Sequence, residues 1–408
     1  MRTRIFKIAF ISFAFIALSA CQDDDNQNTP IQIVTKADVI SNYADLVYQS
    51  YLDSYNLTLD LKGKITTFIA APSESGFNEV KTVWLAAREP YGQTEAYREC
   101  SGPVDTDNSS STPWGLGNEG QMNAWPIDES YIDYVQVGTE PYANNYASII
   151  STIGTPITES LIANANEGID DKSISAGWHA IEFLLWGQDN TVPADNLPGQ
   201  RLYTDYSTAE FATRRGEYLL VTTDLLLSDL QKLVNTWNAG GTYRTVFESL
   251  DENTALQQLI NGAFFIAGDE LSSERIIAPV DSTSGIDNSG QEDEHSCFSD
   301  NTNRDVFANA KGVNNVIFGE YGSVSGASFF DLVVQEDAVQ AQKLLEAARN
   351  AMAKVNVIGD NPMPFDLLIT QESSEDNPAG PVMQSVQALK ELADEISASA
   401  STIGINLQ

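Results

Sequence analysis

The chain has 408 residues, 22 of them basic and 57 acidic, for a formal net charge of −35. That charge repels phosphate backbones and argues against nucleic acid as a partner. Hydrophobic residues make up 42% of the chain, with 17 Phe, 15 Tyr and 6 Trp, which excludes wholesale disorder, and the length suits two domains.

The chain opens on a targeting pattern. Arg2, Arg4 and Lys7 precede an apolar run from Ile8 to Leu18, which closes on Leu18-Ser19-Ala20-Cys21 in the manner of a bacterial lipobox. The expectation is a lipoprotein signal peptide over residues 1–20, with Cys21 lipidated as the first mature residue; an ordinary secretory peptide is the alternative. Residues 21–35 read as a polar tether, and Asp23-Asp24-Asp25 resembles a surface-export signal of some Gram-negative lipoproteins. No later stretch approaches the ~20 apolar residues that span a bilayer. Membrane contact is therefore expected through the lipid anchor only, at the outer membrane, facing the periplasm or the cell surface.

From Ala37 the apolar period is helical, through Val39, Ile40, Tyr43, Leu46, Val47, Tyr51, Leu52 and Tyr55. Ser73 is placed to cap a second helix carrying Phe77, Val80, Val83, Trp84 and Ala87 on one side. Residues 100–127 read as a long irregular loop with Trp114 and Trp125. Helical segments resume near Tyr131, Tyr142, Ile157 and Ser173. A long helix is expected from Thr208 to Asn238 and another from about Glu252 to Ala278, where Pro279 stops it. Residues 280–305 are again polar and irregular. Val339, Leu344, Leu345, Ala348, Met352 and Val355 share a face in the last third, and Val382, Val386, Leu389, Ala393 and Ile396 recur at 4-3-4-3 spacing in the final helix. Alternating strand patterns are scarce. The fold class is all-α, read as two helical bundles over residues 36–205 and 206–408.

The segment Gly177-Trp178-His179-Ala180-Ile181-Glu182-Phe183-Leu184-Leu185-Trp186-Gly187 reads as a helix apolar on nearly every side, hence buried. Its only polar residues, His179 and Glu182, stand three apart on one face. Burying an imidazole and a carboxylate is costly unless they are paired or bound to a cation. They are therefore either a core-locking hydrogen bond or metal ligands at a cleft. The other histidine, His295, lies among carboxylates and is either a further cation ligand or an incidental member of an exposed acidic loop. Two histidines rule out a three-His zinc site, and His-Glu-x-x-His is missing. The glycines from Gly115 to Gly120 lack the context of a phosphate loop, and residues 281–294 do not fit EF-hand spacing. Arg88, Glu95 and Arg98 either form an ion-pair network or face a ligand. Once Cys21 is lipidated, Cys100 and Cys297 are an even pair in an oxidising compartment, expected to form a disulfide, with two separate buried thiols as the alternative.

Together these segments resemble the imelysin family. Gly177, His179 and Glu182 match its Gly-x-His-x-x-Glu motif, and the blocks Trp84 to Arg98, Asn123 to Glu129 and Glu294 to Arg304 look similar in the same order. The resemblance implies two helical-bundle domains packed around an interdomain groove, in an envelope protein often linked to iron uptake. On that picture His179, Glu182 and His295 bind a metal, iron first with zinc or copper possible, or an iron-bearing ligand. Trp84, Arg88, Glu95, Arg98, Asp128, Trp178, Asp300 and Arg304 then line the groove, and other iron-uptake envelope proteins are candidate partners. The disulfide gains from this picture, since Cys100 and Cys297 lie in or beside matching blocks from the two halves. The family also carries a peptidase label. In that alternative Glu182 accepts a proton from metal-bound water, but two ligands and no nucleophile support it poorly. A groove that binds protein or glycan without metal is a third reading.

Overall fold

Helix starts are set by local hydrogen bonds. Thr35 begins α1 (Lys36–Ala70): its hydroxyl accepts from the Asp38 backbone N–H while the Asp38 carboxylate accepts from the Thr35 N–H, a reciprocal capping box. Ser73 caps α2 (Glu74–Gln93) as the sequence predicts, accepting from the N–H of Gly76. The computed structural model describes residues 33–136, 147–374 and 379–407. The expected signal peptide, Cys21, the tether up to residue 32 and the segment around Tyr142 lie outside the described residues.

Short helices α3 (Glu119–Asn123), α4 (Glu129–Ile132) and α5 (Glu159–Ala165) interrupt the irregular stretch before α6 (Gly177–Trp186). Then come α7 (Ala212–Trp237), α8 (Thr242–Phe247) and α9 (Glu252–Phe265). The predicted stop at Pro279 falls short. α9 passes into a π-helical stretch, Ile266–Ile277, and then into α10 (Ala278–Asp281), where Pro279 sits in the first turn and its missing N–H is tolerated. A π-helix bonds residues five apart, so Glu270 and Arg275 become neighbours and pair at 3.0 Å; in an α-helix they would diverge by about 140°.

The chain closes with α11 (Thr302–Phe318), α12 (Phe329–Glu336), α13 (Ala338–Gly359), α14 (Phe365–Ile369) and α15 (Pro381–Thr402). In α15 Val382, Val386, Leu389, Ala393 and Ile396 are all buried, as their spacing predicts. Val339, expected on the inner face of α13, is instead 71% exposed in its first turn. Among the described residues the strands amount to one antiparallel hairpin, Glu320–Tyr321 (β1) with Val324–Ser325 (β2). The all-α class holds.

α1 packs along α2 and α7, and α6 lies on α7; α13 packs on α15 and α11, with α15 against the π-helical stretch. α2 meets α11 and α1 meets α9, so the two sets share one core and Val34–Gln408 forms a single compact unit. Because α7 belongs with the N-terminal helices, the boundary anticipated at residue 205 falls inside a packed group. Among the described residues no helix is long and apolar enough to cross a membrane.

One buried ion cluster pins α7 to the loop after α4. Asp133 accepts from Arg201 at 2.7 Å and from Arg215 at 2.6 and 3.0 Å, all three side chains being enclosed. Burial would raise the Asp133 pKa, but the two guanidiniums outweigh it and hold the carboxyl below its ordinary value. Asp133→Asn leaves the buried Arg215 without a carboxylate and Arg201 with Asp205 alone, and is expected to cost about 3–5 kcal/mol in urea unfolding at pH 7. A depressed carboxyl stabilises above its unfolded pKa of about 3.9, so the gap between wild type and variant should close as pH falls below about 4.

Candidate functional site

Gly177 opens α6 at φ +82°, with its Cα so close to the Met122 carbonyl that a Cβ would sit 2.3 Å from that oxygen; only glycine fits. Gly187, at φ +72°, ends the helix with its N–H on Phe183 O. Every residue between them is buried. His179 Nδ1 lies 2.9 Å from Glu182 Oε2, and Glu182 Oε1 accepts from the Ser299 N–H at 3.0 Å and its hydroxyl at 2.6 Å. Both carboxylate oxygens and one ring nitrogen are thus engaged inside the protein.

The second ring nitrogen faces a cation. Arg88, itself 1% exposed, places Nη2 3.5 Å from His179 Nε2 and 3.3 Å from His295 Nδ1. Its Nε donates to Asp305 at 3.1 Å and its Nη1 to Asn123 Oδ1 at 2.5 Å. Asp305 Oδ2 lies 2.9 Å from His295 Nδ1 and accepts from the Ser296 hydroxyl at 2.5 Å. Because a guanidinium only donates, His179 Nε2 is the acceptor and Nδ1–H donates to Glu182. His295 Nδ1 is met by Arg88 at 3.3 Å and by Asp305 at 2.9 Å. The shorter contact is to an ionised carboxylate, which only accepts, so Nδ1–H donates to Asp305 and the Nε2 lone pair is left for the cleft that His295 lines.

The electrostatics agree with neutral rings. Burial, then Arg88, push His179 well below its usual pKa. Burial and Arg275 bring His295 down to about 4 against the pull of Asp305. Burial works to raise Asp305, but Arg88 and the bond to His295 hold it far below the carboxylate range. Burial lifts Glu182 to about 8 despite the Ser299 bonds.

The adjoining cleft, about 400 Å³, takes one wall from Arg98, Asn123 and Trp125 and another from Glu270, Arg275 and His295. Trp125 also packs on the His179 ring at 4.9 Å, and His179 itself does not line the cleft. Asn123 Nδ2 donates to Glu95 at 3.1 Å, and Glu95 accepts from Arg275 at 2.7 Å and Arg98 at 3.2 Å. Burial would raise Glu95, but the two arginines bring it down to about 2. Glu119, Glu167, Glu270, Glu274 and Asp293 line the same space against the two arginines, giving it an acidic balance.

The family model for imelysin (Peptidase_M75) matches residues 47–396, a span that contains all of these side chains. The chain belongs to the imelysin family. Iron-regulated protein A of Synechococcus elongatus is 23% identical over 319 residues, covering 75% of this chain and 71% of that protein. The crystal structure of an iron-regulated protein A precursor from Parabacteroides distasonis superposes with a TM-score of 0.68 at 20% identity, covering 90% of this chain and 95% of that one. At that identity the likeness is one of fold.

Within this imelysin fold His179, Glu182 and His295 do come together: the two imidazoles meet edge to face with centroids 4.8 Å apart, and Arg88 Nη2 touches a nitrogen of each. Glu95 and Arg98 pair in one network, whereas Arg88 pairs with Asp305 in a second, the two joined through Asn123. Trp84 and Trp178 are fully buried against each other rather than lining the cleft, and Asp128 caps α4 by accepting from Ser130. Arg304 pairs with Glu89 at 2.5 and 3.1 Å away from the cleft. Asp300 lies instead with Glu294 and Asp366. Asp305, Asn123 and Arg275 were not anticipated: nothing distinguishes Asp305 among 57 acidic residues, and the π-helical register that brings in Arg275 has no sequence signature.

The expected disulfide is not formed; Cys100 and Cys297 are separate buried thiols. Cys100 donates to the Tyr97 carbonyl at 2.7 Å and sits by Tyr43 and Asp105, whereas Cys297 sits by Glu182, Glu292 and Glu294. Arg98 and His295, two residues from each, line one cleft, but neither thiol does. Burial raises Cys100 to about 12 and Cys297 well above its usual value. In protein lacking residues 1–21, a thiol reagent at pH 8 should therefore find no reactive cysteine in the native state and two after unfolding without reductant.

Proposed function

We propose that the chain is a lipid-anchored outer-membrane protein that binds iron, as a cation or within a small iron-bearing ligand, in the cleft at His295, and so serves iron uptake. The observation that carries this is the Asp305–His295 pair. A carboxylate fixes Nδ1–H while Nε2 remains available at a cavity walled by carboxylates, the arrangement in which a histidine ligates a metal. Imidazole with hard carboxylate oxygens suits iron, and zinc or copper also accept imidazole. Two proteins similar to this one are named for iron regulation, which favours iron among the three. Glu270 and Glu119, which line the same cleft and hold Arg98 at 3.4 Å, would be further donors. His179 and Glu182 act as positioning residues: Glu182 holds His179, whose Nε2 accepts from Arg88, and Arg88 braces Asp305 behind His295. The peptidase alternative asks Glu182 to take a proton from water, yet both its oxygens are bonded and enclosed, so the geometry favours binding.

The test is elemental analysis of protein lacking residues 1–21 after incubation with iron, zinc or copper and desalting. Wild type should retain about one iron per chain and His295→Ala none. Asp305→Asn should bind roughly 10–100-fold more weakly. Equal retention by wild type and His295→Ala would overturn the assignment.

A further inference from the structure

Glu294 and His295 are consecutive residues, and Glu294 is extended at φ −76°, ψ 148°, so their side chains leave the backbone on opposite sides. His295 faces the cleft; Glu294 does not line it. The Glu294 side chain is fully buried, and neither of its carboxylate oxygens makes a hydrogen bond of normal geometry. It is aimed at two more carboxylates: one oxygen each from Glu294, Asp300 and Asp366 lie within 4.8 Å of one another. Asp300 Oδ1 is likewise buried and unpartnered, and Asp366 is 3% exposed. The charges that act most strongly on Glu294 are those of Asp366, Asp300 and, more weakly, Asp189, with the Thr302 hydroxyl the one small relief. Asp189 is already engaged by Thr191 and Gln291. Three carboxylates converging out of water, with no arginine or lysine among these influences, are costly unless a cation or shared protons compensate them.

We propose that Glu294, Asp300 and Asp366 hold a hard divalent cation, Ca²⁺, at a site separate from the cleft. The donors are all oxygen, with no nitrogen or sulfur, which selects a hard ion. The three oxygens lie within 4.8 Å of one another, inside the span of a Ca²⁺ shell, and Ca²⁺ accepts an irregular cage of protein oxygens whereas Mg²⁺ demands near-ideal octahedral geometry and keeps several waters. Asp366 comes from α14, while Glu294 and Asp300 flank His295, Ser296 and Ser299 on one loop. The ion would therefore tie that loop to α14 and hold His295 from behind.

Protein lacking residues 1–21, which keeps the whole compact unit Val34–Gln408, is stripped with chelator and titrated with CaCl₂ by calorimetry and thermal melting. Wild type should bind one Ca²⁺ and melt several degrees higher at millimolar Ca²⁺. Glu294→Gln and Asp366→Asn should each weaken binding at least tenfold and abolish the shift. Their calcium-free melting temperatures should equal or exceed that of wild type, because an amide removes repulsion without emptying space. His295→Ala should keep the calcium shift, which separates this site from the cleft. No shift in wild type would mean that the carboxyls share protons instead and would overturn the proposal, as would an undiminished shift in Glu294→Gln. Tighter binding of Mg²⁺ than Ca²⁺ would overturn the identity of the ion.

Discussion

The guanidinium of Arg88 is the constraint around which the rest of the site is arranged. A cation enclosed to 1% exposure must find its hydrogen bonds inside the protein, and these come from parts remote in sequence: Asn123 on α3, His179 on α6, Asp305 on α11. Satisfying one side chain thus brings together elements more than 200 residues apart and fixes the tautomer of His179, while Asp305, braced by the same arginine, fixes that of His295. It also separates them in role. His179 is sealed between a carboxylate and a cation, while His295 keeps one nitrogen for the cleft.

This arrangement bears on the family motif. Each member of Gly177-x-His179-x-x-Glu182 has a structural reason: the glycine for close approach to Met122, the histidine as acceptor to Arg88, the glutamate as anchor to Ser299. A motif can be chemically demanding without touching a ligand. The free imidazole nitrogen belongs to the histidine outside the motif, held on a loop rather than on a helix.

Much of the fold was legible because its causes are local. The Ser73 cap and the 4-3-4-3 spacing in α15 are each set within a few residues. The paradox of a histidine and a glutamate in an otherwise apolar helix also pointed correctly to a buried polar site. What escaped was set by distant partners. The π-helical register that carries Arg275 inward depends on packing, and α7 joins the N-terminal helices because of α1 rather than anything near residue 205. Asp305 and Glu294 resemble any other acidic residue of a highly acidic chain until their surroundings are seen. The cysteines misled because sequence position near the cleft does not specify which way a thiol points.

Asn123 stands between the two charge networks, its carbonyl toward Arg88 and its amide nitrogen toward Glu95. Rotating that amide by half a turn would set N–H against guanidinium and oxygen against carboxylate, so only one orientation is tolerated. Aspartate would satisfy the arginine and repel the glutamate; lysine would do the reverse. The residue therefore works as an insulated junction, passing alignment from the histidine cluster to the cleft wall while carrying no charge between them. A ligand that displaced Glu95 would strip that amide nitrogen of its acceptor while Arg88 still held the carbonyl in place.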